Sequence, residues 1–231
     1  MKGLFITGTD TGIGKTTVGA AFVRAVVASG ARVRALKPIE SGCETDAAGE
    51  LVPADALKLR AASSVPDAPL SEVIRYRLAE PVAPAVAAER EKVEIDVEEC
   101  LALVERARAD ADFVTVEGAG GLLVPFAGTA AGGYVTVADF AARVGFPVLV
   151  VARARLGTIN HTLLTVRELE RRNLTCAGVI LNDADGDAKT EVETNAAVLR
   201  SFGVNVLAEV PHDMSGSVLP EFFLNVWKSL S

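Results

Sequence analysis

Gly8-Thr-Asp-Thr-Gly-Ile-Gly-Lys-Thr-Thr17 follows a short apolar run, Leu4-Phe5-Ile6, and opens straight into a helical pattern. A strand, a glycine-rich turn and a helix in that order form a cradle for phosphate. Glycines let backbone N–H groups converge on an anion with no Cβ in the way, and the helix behind them supplies unpaired donors and a positive dipole end. On this reading Lys15 places a point charge on the terminal phosphates and the Thr16 hydroxyl ligates Mg²⁺. The spacing departs from the common G-x4-GK[ST] form. Gly8 precedes Gly14 by six positions, so the loop is one residue longer, and Thr9 stands at the usual glycine site. A plain strand-to-helix turn would account for the glycines but would leave Lys15, Thr16 and Thr17 unexplained.

At 231 residues the chain is long enough to bury a two-sided sheet core, and one domain spanning 1–231 is expected. Half of the residues are apolar and few are aromatic, the make-up of a soluble α/β protein. A formal charge of −7 argues against a basic footprint, and so against nucleic acid or an anionic membrane as partner. Cys43, Cys100 and Cys176 are far apart and lack disulfide or zinc spacing, which points to a reducing, cytoplasmic setting. No leader pattern precedes the first strand, and no apolar run approaches a membrane span.

Apolar runs near 2–7, 31–36, 112–116, 146–151, 175–181 and 204–209 alternate with helical patterns at 16–28, 53–62, 96–109, 159–172 and 187–202. Continuous apolar strands between helices predict a doubly wound, mostly parallel sheet with helices on both faces. Gly30 and Gly203 follow two of the helices and Asp187 is placed to cap another. The proline-rich stretch 63–95 reads as a winding connection with one short helix.

In such a sheet ligands bind outside the carboxyl ends of the strands. There the chain places the phosphate loop, Lys37-Pro-Ile-Glu-Ser-Gly42, Glu117-Gly-Ala-Gly-Gly121, Arg153 to His161, and Asn182-Asp183. Pro38 keeps the chain from continuing as helix, so the Lys37 ammonium is expected over the sheet edge near the phosphates. Glu117 ends a strand at the position where nucleotide hydrolases of this architecture keep a metal-binding acid. Asp55 fits either metal ligation or the first turn of a helix, and residue type alone does not separate the two. Asn160 and His161 read as caps of the helix starting near 159, and His161 and His212 are not expected to be catalytic. Cys43 has no His or Asn partner in a recognisable relation, which disfavours a thiol nucleophile.

These pieces together resemble dethiobiotin synthetases, the ATP-dependent carboxylating enzymes of biotin formation. The likeness runs through Thr7 to Thr16, Lys37 to Gly42, Glu80-Pro-Val-Ala-Pro84, Val116 to Leu122, Leu156-Gly-Thr-Ile-Asn-His161 and Asn182-Asp183, in family order. The lengthened phosphate loop is itself a trait of that family. The resemblance implies a homodimer acting on 7,8-diaminononanoate (7,8-diaminopelargonic acid) with ATP, Mg²⁺ and CO₂ or bicarbonate. It assigns Gly12, Ile13, Gly14, Lys15, Thr16 and Thr17 to the phosphates, and Thr16, Asp55 and Glu117 to the metal. Lys37 and Lys15 neutralise developing charge; Thr11, Ser41 and Gly118 orient the diamine and its carbamate, with Ala119 and Gly120 beside the nucleotide. Asn182, Asp183, Pro211, His212 and Asp213 fall to the adenine end. Leu156, Gly157, Thr158 and Asn160 meet the substrate carboxylate across the dimer interface. Alanine at position 37 is expected to abolish ring formation while the fold stays intact.

Two other functions fit a phosphate loop of this kind. A nucleotide-switched partitioning ATPase would carry an additional lysine early in the loop, and Gly8-Thr-Asp-Thr-Gly12 has none. An amidating cobyrinate-type synthetase would need an appended glutaminase domain, which is not expected after residue 210.

Overall fold

Buried, unalternating apolar runs make strands that must be covered on both faces, and the arrangement follows from that demand. The computed structural model describes residues 3–186, 191–212, 223–225 and 227–228, with backbone alone for 191–193. In chain order the elements are β1 (Gly3–Gly8), α1 (Lys15–Ala28), β2 (Val33–Leu36), β3 (Ile39–Ser41), β4 (Glu44–Thr45), β5 (Leu51–Val52), α2 (Ala54–Ala62), β6 (Tyr76–Leu78), α3 (Pro84–Glu91), α4 (Val97–Asp110), β7 (Phe113–Gly121), β8 (Pro125–Gly128), β9 (Tyr134–Thr136), α5 (Val137–Val144), β10 (Val148–Arg153), α6 (Thr158–Arg171), β11 (Cys176–Asn182), α7 (Glu191–Ser201) and β12 (Val206–Val210). Six strands form one parallel sheet in the order β12-β11-β10-β1-β7-β2. The α/β fold with a parallel sheet and helices on both faces is as the sequence predicts.

Alternate side chains of β1 point to opposite faces. Leu4 and Ile6 join a core with Phe22, Phe113 and Phe223, while Phe5 joins the larger core with Phe126 and Phe140. Phe126 and Phe140 stack at 4.5 Å between ring centroids. The chain leaves β1 for the β2 edge and later crosses to β10 on the other side, so a topological switch lies beside β1. Register sets Ile6 opposite Glu117, which brings the acid of β7 next to the root of the phosphate loop.

The differences from the sequence reading have local causes. The strand expected at 112–116 continues to Gly121, and α5 was not anticipated. That helix has only eight residues, but it carries a capping box between Thr136 and Asp139 and ends at Gly145. The small β8–β9 and β4–β5 hairpins and the β3–β6 pair are two to four residues per strand, too short to show a period. Helix α6 starts at Thr158 with Gly157 at the N-cap, so Asn160 and His161 lie within its first turn and do not cap it. The proposed Asp187 cap lies outside the described residues. Among those residues, no helix is long and apolar enough to cross a membrane.

The α5 cap gives this face a pH response. Asp139 Oδ2 accepts from the Thr136 amide at 2.8 Å and hydroxyl at 2.6 Å, and Oδ1 accepts from Arg172 at 2.6 Å. Burial alone would raise the Asp139 pKa, but these donors outweigh it and hold the carboxyl below its ordinary value. A folded-state pKa below the unfolded one gives stability that is present above the unfolded value and lost as pH falls through the folded one. Asp139→Asn should therefore cost about 1 kcal/mol at neutral pH, a modest figure because the pair is partly solvent-screened. Urea unfolding midpoints of the two proteins should converge in acid; a gap independent of pH would assign the effect to shape instead.

Candidate active site

The phosphate loop is shaped by glycines that no other residue could replace without strain. Gly14, the N-cap of α1, has φ 82°, and a Cβ there would overlap the Asn182 amide nitrogen. That nitrogen donates to the Ile13 carbonyl at 2.8 Å, so the end of β11 braces the loop from below. Arg153, at the end of β10, braces it again through a 3.3 Å hydrogen bond to the Gly12 carbonyl. The opening amides of α1 have no intrahelical acceptor and are left for an anion.

Lys15 is buried and bends back to donate to the Asp10 carbonyl at 2.8 Å. Burial, and then the charge of Lys37, push it down to about 8. A lysine so placed stands to gain from a phosphate chain, which would restore the preference for its charged form.

Lys37 follows β2 directly. It lines the same cleft as the phosphate loop and is buried there, with 4% of its surface exposed. Its ammonium meets Glu117 Oε1 at 2.5 Å, Asp55 Oδ2 at 3.2 Å and the Gly118 carbonyl at 3.3 Å. Burial works against the charge, yet the two carboxylates prevail and hold Lys37 above the ordinary lysine value. The same ammonium keeps Asp55 below the ordinary carboxylate value against the effect of burial. Glu117 Oε1 also accepts from the Thr16 hydroxyl at 2.8 Å, while its Oε2 is buried without a hydrogen-bond partner.

Thr16, Asp55 and Glu117, distant in sequence, thus gather around one point. An orphaned carboxylate oxygen, a second carboxylate and a hydroxyl are a hard, all-oxygen donor set that suits Mg²⁺, which keeps few protein ligands and takes the rest from phosphates and water. Among the described residues no group of three or more His, Cys, Asp or Glu could hold a metal by itself. The residues present fit a nucleotide-borne Mg²⁺ and do not form a self-sufficient metal cage.

These groups line a cleft of about 620 Å³. Thr11, Gly12, Gly14 and Thr17 form one side, Ser41 and Pro81 to Pro84 another, and Ala119 and Gly120 a third. Asp183, Pro211 and His212 gather separately at the ends of β11 and β12, where the Asp183 amide bonds the Val210 carbonyl and the His212 ring contacts the Ala184 carbonyl at 3.0 Å. Asp213 lies outside the described residues. Leu156 and Thr158 border a smaller hollow with Asp10, Arg153, Arg155 and His161, apart from the main cleft. Leu156 is 88% exposed, Gly157 and Asn160 are exposed, and Thr158 turns its hydroxyl to Thr162. Cys43 is buried and its thiol is pushed up to about 11 by that burial, in keeping with no nucleophilic role.

Three side chains escaped the sequence reading. Glu40 accepts from the amides of Asp55 and Ala56, Lys58 donates to the Thr17 hydroxyl at 2.8 Å, and Arg153 grips the loop. A proline at position 53, just before a helix, signals that the first amides need an acceptor from elsewhere. Lys58 carries no comparable signal, and Arg153 only its place at a strand end.

A family model described as an AAA domain matches residues 2–216. The chain is 50% identical over 200 residues to the ATP-dependent dethiobiotin synthetase BioD of Anaeromyxobacter dehalogenans strain 2CP-C, covering 85% of this chain and 83% of that protein. It is 43% identical over 208 residues to the same-named protein of Aromatoleum aromaticum, covering 90% and 89%. Among solved structures, the cell division ATPase MinD of Pyrococcus furiosus superposes with a TM-score of 0.57 at 16% identity, over 100% of this chain and 98% of that one. A ParA family ATPase from Chlorobium tepidum gives 0.54 at 14% identity, over 99% and 91%. At those identities the likeness is one of fold.

Proposed function

This chain belongs to the ATP-dependent dethiobiotin synthetases, and we propose that its cleft around Lys37 closes the ureido ring of dethiobiotin from 7,8-diaminononanoate and CO₂. The observation that carries the assignment of residues is the convergence of Lys37, Glu117, Asp55 and Thr16 beneath the phosphate loop. One amine of the substrate adds to CO₂ and loses a proton, giving a carbamate. A carbamate oxygen attacks the γ-phosphorus of ATP and ADP leaves; the second amine then attacks the carbamoyl carbon, phosphate leaves and the new ring nitrogen gives up a proton.

The protein's share in this is positioning and charge. Lys15, with the amides of Gly12 to Thr17, holds the phosphate chain in line with the carbamate. Lys37 faces the oxygens on which negative charge grows, and in a buried setting that preorganised cation is worth far more than in water. Thr11, Ser41 and Gly118 fix the amines, and Ala119 and Gly120 let the nucleotide approach the backbone. Mg²⁺, held by Thr16, Asp55 and Glu117, neutralises the phosphate oxygens when bound. Asn182, Asp183, Pro211, His212 and Asp213 receive the adenine.

The reading includes a single synthetase domain over 1–231 and a cytoplasmic homodimer. In the dimer, Leu156, Gly157, Thr158 and Asn160 of one copy meet the carboxylate of a diamine held by the other, and the exposure of Leu156 supports this. Purified protein given diamine, bicarbonate and Mg-ATP should form the ureido product, seen by mass spectrometry, with one phosphate released per ring. ATP hydrolysis indifferent to the diamine, with no product, would sink the reading.

A further inference from the structure

Helix α2 begins with a deficit. Its N-cap is Pro53, whose side chain accepts nothing, although the first amides of any helix need outside partners. Glu40 supplies them from another element: its two carboxylate oxygens accept from Asp55 N at 3.0 Å and Ala56 N at 2.9 Å, and the residue is 7% exposed. An anion at a helix N-terminus also meets the favourable end of the dipole. Glu40 is three residues after Lys37, and Pro38 stiffens the segment between them. Asp55 is therefore gripped twice by one short stretch of chain, through its main chain by Glu40 and through its carboxylate by Lys37 at 3.2 Å.

We infer that Glu40 is a positioning residue for the metal-binding site: it ties the start of α2 to β3 and so fixes where the Asp55 carboxylate stands relative to Thr16 and Glu117. The inference rests on the reading of Asp55 as a metal ligand. Glu40 borders the cleft, and each of its oxygens accepts from a backbone amide of α2, so its assigned role is to position Asp55. Its effect passes through Asp55, in the way that groups hydrogen-bonded behind metal ligands orient them.

The test compares Glu40→Ala, Glu40→Gln, Asp55→Ala and the double variant Glu40→Ala/Pro53→Asp with the wild type. The readouts are Mn²⁺ binding to the protein–ADP complex by electron paramagnetic resonance, Mg²⁺ dependence of turnover, KM for the diamine, and melting temperature. Glu40→Ala should weaken Mn²⁺ binding and raise the half-activating Mg²⁺ by about 10- to 100-fold. KM for the diamine should stay near the wild-type value. Glu40→Gln, with one acceptor oxygen in place of two, should fall between. Pro53→Asp caps α2 from its own end without tying it to β3, so it should restore melting temperature and leave metal binding weak. Full recovery of metal binding in that double variant would reduce Glu40 to a cap and overturn the proposal. So would unchanged Mn²⁺ binding in Glu40→Ala where Asp55→Ala weakens it. Unchanged binding in Asp55→Ala overturns the metal role of Asp55, and this proposal with it.

Discussion

Lys37→Ala should lower dethiobiotin formation by on the order of 10²–10³-fold, the usual result of removing one preorganised charge from a transition state. It should also destabilise the protein, contrary to what the sequence alone leads one to expect. The Glu117 side chain is 1% exposed and its charge is balanced by an ammonium 2.5 Å away. Breaking such a pair from one side leaves an uncompensated buried charge, which costs about 3–5 kcal/mol. The stability part is read in Lys37→Met/Glu117→Gln, where no buried Glu117 charge is stranded and only the half-exposed Asp55 carboxylate loses its partner. Most of the stability should return while ring closure stays lost. Denaturant unfolding and the mass-spectrometric assay, run on both variants, decide the matter; full turnover in Lys37→Ala would remove this residue from the mechanism.

Gly14→Ala should weaken nucleotide binding by one to two orders of magnitude. At φ 82° a side chain costs roughly 1–2 kcal/mol in the left-handed region. The new Cβ also displaces the Asn182 amide, with loss of a buried hydrogen bond to the Ile13 carbonyl worth about 1 kcal/mol. Both penalties fall on the loop that must wrap the phosphates, so affinity should drop by roughly 30- to 160-fold for a combined 2–3 kcal/mol. Gly49 provides the control. It has φ 84° and nothing within 4 Å of its would-be Cβ, so Gly49→Ala carries backbone strain alone. Calorimetric titration with ADP should be normal in Gly49→Ala and severely weakened in Gly14→Ala; equal behaviour would show that Asn182 does not brace the loop.

The central sheet was legible because its six strands are continuous apolar runs, and a run buried on both faces needs no periodicity to be recognised. Helix α5 was not, since eight residues give little more than two turns and only its capping box betrays it. Of the site, residue types could be read but not their pairing. Lys37 and Glu117 are 80 positions apart, and their contact depends on Val33–Leu36 pairing with Phe113–Val116 in parallel register. The sequence offered Lys37 as a charge over the rim because a strand end normally delivers one there. What it could not reveal is that two carboxylates converge on the ammonium and that it is buried. Glu40 was quoted within its motif without a role, because its partners are backbone amides, which residue identity does not announce.

Glu117 Oε1 is shared by the Thr16 hydroxyl and the Lys37 ammonium. A cation tethered to the protein thus stands beside the place where, on the proposed reading, the nucleotide brings its own. The Lys37 ammonium offsets the mutual repulsion of the Glu117 and Asp55 carboxylates. On the proposed reading, Mg-ATP would compete with Lys37 for that oxygen, and a lysine released from it would be available to the negatively charged reactant.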